Sequence, residues 1–176
     1  MSRMKFWYGF HKYLLISAPI YLVLFVVFVP VHVLEIESVE DGERIFWRHI
    51  RSGNRFSFEQ MNSVQLCRVR NDYEIDEDYQ IILVSTAFSD HGVGLPSGPI
   101  HGGEFSIQDD GTFRISKMHL ELSEIHLRVG REYDNVFAFG SRRINLSETY
   151  GNALFAVRTR KCAMSKYLLW RILNVR

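Results

Sequence analysis

The chain has 176 residues, 47% of them hydrophobic and 14% aromatic, with a formal net charge of +1 and two cysteines. The near-neutral total hides a split. Residues 35–148 carry 12 basic and 20 acidic side chains, while residues 149–176 carry six basic and no acidic ones. An acidic middle argues against nucleic acid as the main partner, and the separation of Cys67 and Cys162 by 95 positions excludes a metal-binding cysteine spacing.

Residues 1–12 contain Arg3, Lys5 and Lys12 and precede an apolar run, Tyr13 to Leu34, of 22 residues without a formal charge unless His32 is protonated. As a helix rising about 1.5 Å per residue the run spans roughly 33 Å, enough to cross a hydrocarbon core. Basic residues lie before it, and Glu35, Glu37, Glu40 and Asp41 lie after it. This polarity sets the N-terminus in the cytoplasm and the rest outside. Trp7, Tyr8 and Tyr13 occupy the place of an interfacial aromatic belt. A cleaved signal peptide would have a shorter apolar region and a small-x-small site. Pro-Val-His-Val-Leu-Glu offers none, so a retained signal-anchor is favoured. A buried core helix would show an amphipathic stripe, and none is present. Pro19 and Pro30 punctuate the run and mark where the helix kinks or ends, and where it would pack on another membrane segment. His32, at the outer boundary, reads as a solvated side chain.

Beyond Glu40 the hydrophobic period becomes two. Segments 43–50, 55–61, 64–70, 79–88, 104–108, 112–116, 124–130, 135–140, 142–147 and 153–160 all suit strands. Phe56 and Phe58 alternate with Arg55, Ser57 and Glu59, and Phe105/Ile107 and Phe113/Ile115 do the same. Turn signals separate them, and EFSIQ-DDG-TFRIS is the clearest hairpin. The expected fold is all-β: an antiparallel β-sandwich or barrel of about ten strands, preceded by one N-terminal transmembrane helix. The expected organisation is a cytoplasmic 1–12, a signal-anchor at 13–34, a β domain at 40–160 and a basic, apolar tail at 161–176. In an extracytoplasmic domain the two cysteines are free to pair, although buried free thiols are the favoured reading.

The widest break in the strand pattern is 89–103, SDHGVGLPSGPIHGG, with five glycines and two prolines. It reads as a long structured loop, the usual place for a site on a β scaffold. Its Leu95-Pro96 tip suits either docking into a partner or plugging one end of the sandwich. The tail, KCAMSKYLLWRILNVR, is apolar nearly all round as a helix and too short for a second span. Its apolar surface needs cover from the domain, the bilayer interface or a partner, and its charge suits anionic headgroups or an acidic protein patch.

Reactive side chains are sparse. Asp90, His91, Ser97 and His101 contain the elements of a hydrolase, but neighbours on one loop seldom form a triad, and no nucleophile elbow occurs. His91, His101, His119 and His126 with Glu121 and Glu124 lack the His-Glu-x-x-His spacing, so solvated strand-edge histidines are the favoured reading. The glycine-rich loop has neither the lysine nor the following helix of a phosphate loop. The residues therefore point to a non-catalytic protein with no cofactor and no metal.

At FSFEQMNSVQL, FSDHGVGLPSG and GGEFSIQDDGTFRI the chain resembles a bacterial family known as domain of unknown function 1850. The matching residues are Asn62, Ser63 and Val64; Gly92, Val93, Gly94, Leu95, Pro96 and Ser97, with His91 beside them; and Gly102 and Gly103. The family's His-Ser-Val motif has Asn62 in place of its histidine here, and its acidic position falls near Asn71 or Asp72. The resemblance runs from about Arg44 to Arg158. It implies an accessory subunit of a tripartite ATP-independent periplasmic (TRAP) transporter of the TAXI-receptor class, anchored in the bacterial inner membrane with its β domain in the periplasm. The implied partners are the transporter's membrane subunit, its solute receptor and the lipid bilayer. The alternative is an anchored periplasmic module that binds a ligand or protein independently of a transporter.

Overall fold

The computed structural model describes residues 17–19, 21–25, 27–62, 66–90 and 95–174. They fall into two compact units, one of His32–Arg160 and a smaller one built from the two chain ends, up to Val31 and from Lys161.

The larger unit is formed by antiparallel strands in two sheets. The small sheet runs in the order β2 (Arg44–His49), β1 (Pro30–Ser38), β12 (Ala153–Ala163), β9 (Ile125–Val129). The large sheet runs β11 (Arg142–Asn145), β10 (Val136–Phe139), β3 (Arg55–Asn62), β4 (Cys67–Ile75), β5 (Ile81–Phe88), β7 (Phe113–Ser116), β6 (Glu104–Ile107). The short β8 (Leu120–Leu122) also pairs with β5. This is a β-sandwich-like fold with twelve strands among the described residues, where the periodicity predicts about ten. All ten expected strands are present, and the hairpin at 109–111 joins β6 to β7 as its turn chemistry requires.

Alternation in the strands builds the core. Leu34 and Ile36 of β1, Phe56 and Phe58 of β3, Tyr73 and Ile75 of β4, and Phe155 and Val157 of β12 project into one buried cluster between the sheets. Phe137 lies edge-on to Phe46 at 4.8 Å, and Phe56 stacks on Tyr73 at 4.9 Å, both favourable aromatic geometries. A second cluster, Cys67, Val69, Phe88, Ile115 and Met118, continues along the large sheet, with Leu95 packed against it. Cys67 and Cys162 are not joined by a disulfide.

One stretch departs from the sequence expectation. Pro30–Leu34, expected to finish the membrane helix, open strand β1 instead. Their apolar character reflects burial on both faces of a strand, which hides the period of two. The β domain accordingly begins ahead of residue 40. Among the described residues, 17–19, 21–25 and 27–28 are helical, and none of the described helices is long and apolar enough to cross a membrane. The rest of the expected span, and all of 1–12, lies outside the described residues. Pro19 is helical and exposed, whereas Pro30 is the exposed first residue of β1.

Two helices complete the chain. α1 (Leu146–Tyr150) is capped by Asn145, whose side chain accepts from the Glu148 N–H at 3.2 Å. Its buried Ser147 donates to the Tyr133 carbonyl and accepts from the Asn135 side-chain amide at 2.8 Å, fixing the turn before β10. α2 (Met164–Leu173) lies in the smaller unit, where the Met164 N–H donates to the Val29 carbonyl at 2.9 Å.

Candidate functional site

Two hollows flank the large sheet, one on each face. The inner one, about 290 Å³, lies beside the second core cluster and gathers residues far apart in sequence: Asn62, Asn71, Thr86, Leu95, Pro96 and His101. Pairing explains the convergence. Asn62 ends β3 on the same face as Phe56 and Phe58, and Asn71 sits opposite Thr86 on the inward face of β4 and β5. The loop returns Leu95 and Pro96 over them. A tight turn then brings up His101, with the Gly103 N–H donating to the Ile100 carbonyl at 2.9 Å. His101 and Gly102 both have positive φ, 49° and 73°, the signature of a turn that favours glycine. Gly103 is required by space: a Cβ there would meet Ile115 Cγ2 at 2.7 Å and the Ser116 carbonyl oxygen at 2.8 Å.

The motif residues of the sequence reading thus come together in part. Asn62, Leu95 and Pro96 line the inner hollow, and Leu95 also plugs the second cluster. Ser97 is exposed and lines neither hollow. Ser63, Val64, His91, Gly92, Val93 and Gly94 lie outside the described residues. Of the two candidates for the family's acidic position, Asn71 joins Asn62, while Asp72 faces the opposite side of the sheet. His101 supplies an imidazole to the cavity that Asn62 also lines.

The outer hollow is larger, about 840 Å³, and lies on the solvent side of the same sheet. Ser57, Asp72 and Ser85 form one cross-strand row, with Ala138 opposite Ser57. Arg70 and Arg114 belong to the next row, both opposite Ala87. A β-bulge makes this possible: Asp72 pairs with Ser85 but Tyr73 pairs with Leu83, leaving Val84 as the extra residue. The bulge turns Ser85 outward and Thr86 and Phe88 inward. Without it the simple alternation from Ile81 would bury Ser85 in the core. Asp72 accepts from Arg70 Nε at 2.9 Å and from Ser85 Oγ at 2.8 Å. Arg55, Arg114, Lys117 and His119 also line the hollow. No periodicity argument could find this site, because Ser57 and Ala138 look like ordinary outward strand positions and simple alternation from Ile81 puts Ser85 on the inward face.

The small sheet carries a charge cluster that sequence reasoning also missed. Glu35 is 0% exposed, and its carboxylate accepts from Arg44 Nε at 2.7 Å and Arg158 Nε at 3.2 Å and pairs ionically with Arg160 Nε at 3.1 Å. Arg158 also bonds Glu37 at 2.9 Å and approaches Glu124 at 3.8 Å. Three acids thus face three arginines. Burial pushes the Glu37 carboxyl up, but the hydrogen bond and charge of Arg158, helped by Glu35 and Arg160, hold it below the usual range. The balanced count makes this a clasp between β1, β2 and β12. Arg158 and Arg160, which precede the 161–176 tail, are thus engaged within the chain.

The histidines are dispersed. His119 contacts Glu121 at 3.5 Å, His126 contacts Glu124 at 3.6 Å, and His32 stacks on Tyr79 at 3.6 Å. Among the described residues no group of three or more His, Cys, Asp or Glu is placed to hold a metal ion.

The antiparallel sandwich-like sheets, with a hollow on each face of the larger one, define a small β domain. The chain belongs to the family described as Domain of unknown function (DUF1850), whose model matches residues 56–146. That interval holds the large sheet and both hollows but for Arg55, while the apolar N-terminal run and the tail fall outside it. No curated protein and no solved structure matches the chain.

Proposed function

We propose that this protein is a membrane-anchored, non-catalytic accessory subunit of a TAXI-class TRAP transporter, holding its β domain at the periplasmic face of the bacterial inner membrane. The observation that carries the membrane part is the apolar surface of the smaller unit. Tyr21, Leu22, Val23, Phe25 and Phe28 are all more than 60% exposed, and Leu169, Ile172 and Leu173 of α2 are 59–73% exposed. Such a surface on both chain ends needs a non-aqueous environment.

At about 100° per residue, Leu168, Leu169, Ile172 and Leu173 share one side of α2, with Lys166 and Arg171 at its margins. Tyr167, the buried residue of the helix, lies away from them. An exposed apolar arc edged by cations suits the bilayer interface. With Pro30–Leu34 given to β1, the spanning segment would be 13–29, at the short end of the usual length. The transporter assignment rests on the family resemblance, and the inner hollow with its Leu95-Pro96 rim is the surface offered to the membrane subunit or receptor.

The test is affinity purification of the full chain in mild detergent. Co-purification of a TRAP membrane subunit is the expected result, and its absence at stoichiometric recovery of the bait would overturn the assignment. The outer hollow favours the second reading, an anchored ligand-binding module independent of a transporter.

A further inference from the structure

We propose that the outer hollow of the large sheet binds a small organic carboxylate, anchored by the guanidinium of Arg114. This inference does not depend on the transporter assignment, which can fail in a purification experiment while ligand binding stands.

The other arginines of the hollow and its lysine are already matched. Arg55 pairs with Glu74 at 2.6 Å, Lys117 with Glu104 at 2.7 Å, and Arg70 with Asp72 at 2.9 Å and Glu59 at 3.2 Å. Arg114 makes no ion pair among the described residues, and the nearest compensation is the field it exerts on the Asp110 carboxyl. Its Nε is buried and has no hydrogen-bond partner. A buried guanidinium donor left unsatisfied is costly, so such donors ordinarily have partners. The hollow that Arg114 lines therefore holds one unmatched positive charge and one unmet donor.

The rest of the hollow selects the ligand's chemistry. A planar guanidinium presents a fork that fits a carboxylate through two parallel hydrogen bonds. Asp72 lines the same space and repels a doubly charged anion, so a single carboxylate is favoured over a phosphate. Ser57, 4% exposed, and Ser85, 7% exposed, with Ala138 beside them, line the hollow with short side chains. Those residues leave room for the ligand's body and put hydroxyl oxygens against it. A volume of about 840 Å³ lies within the range of ordinary small-molecule sites. The bulge at Val84 is the backbone device that places Ser85 in the site, and bulges of this kind recur beside binding sites.

The test follows thermal unfolding of the detergent-solubilised full chain by tryptophan fluorescence. The probes are sodium lactate, sodium butyrate and inorganic phosphate, each against sodium chloride at equal ionic strength. The expected result is a rise in Tm with at least one carboxylate and a smaller one with phosphate. Arg114→Gln should abolish the carboxylate response without lowering Tm in its absence, because the lost Nε had no protein partner to strand. No carboxylate response, an equal or larger phosphate response, or a response that survives Arg114→Gln overturns the proposal. If Arg114→Gln does not fold, Arg114→Lys keeps the charge and loses the fork. Its carboxylate response should then weaken about tenfold, and an undiminished response overturns the proposal.

Discussion

Arg158 Nε donates to Glu35 Oε1 at 3.2 Å across 123 residues of sequence, tying the first strand of the domain to the last. Glu35 is fully buried, while its three arginines remain 22–49% exposed. Removing the carboxylate leaves three like charges close together, although each can still hydrate in part. Glu35→Ala should therefore destabilise the domain by about 2–3 kcal/mol, below the cost of stranding a fully buried ion. Arg160→Ala, at the exposed rim, should cost under about 1 kcal/mol. Urea unfolding of the three proteins checks the ranking.

The same clasp sets an acid limb. The folded Glu37 carboxyl lies below its ordinary value of 4.5. Its contribution is complete above that value and is lost as pH falls through the lower, folded one. Melting temperature should drop on that limb below about pH 4.5, and Arg158→Ala should flatten the drop.

Tyr73 sets a base limb of opposite sign. Burial pushes its phenol up to about 12, with the Asp72 charge adding to the shift and the Asn71 hydrogen bond opposing it. Stability is complete below the ordinary value of 10 and declines as pH rises towards 12. Tyr73→Phe should lessen this decline, and tyrosinate absorbance should lose a late-titrating group in that variant.

Gly103→Ala places a methyl group against Ile115 Cγ2, Met118 Cγ and the Ser116 carbonyl oxygen, all within 2.8 Å. It should destabilise by about 1–3 kcal/mol. Leu95→Ala removes a partly buried side chain from the second cluster and should cost about 1–2 kcal/mol, less than a fully buried leucine. If the Leu95-Pro96 rim docks a partner, Leu95→Ala should also lower co-purification more than Gly103→Ala does at matched stability.

Replacing residues 13–29 by an unrelated apolar helix separates a tether from an interface. The replacement has to stop at Val29, because Val33, Leu34 and Ile36 of β1 are fully buried in the domain. A tether tolerates the exchange, whereas a segment that packs on a membrane subunit loses co-purification.

Much of the fold was legible because its cause is local. Alternation of Phe56/Phe58 and Phe113/Ile115 announces half-buried strands, and Asp109-Asp110-Gly111 announces a hairpin, since both depend only on neighbouring residues. β1 escaped because a strand buried on both faces carries no period and so read as a continuation of the membrane run. β8 has only three residues. α1 is five residues following a capping asparagine inside a segment that reads as a strand.

The sites divide in the same way. By itself the sequence determined the β class, the family and the apolar run with its charged flanks, and it singled out Asn62 and the Leu95-Pro96 loop as candidates. Tertiary structure alone decided that Asn71 rather than Asp72 joins Asn62, and that Arg158 and Arg160 neutralise Glu35 and Glu37 instead of remaining free. It also decided that one extra residue, Val84, turns Ser85 out beside Asp72 and Arg114. The physical reason is register: which side chains share a face depends on strand pairing across distant segments, and one bulge reverses every position beyond it.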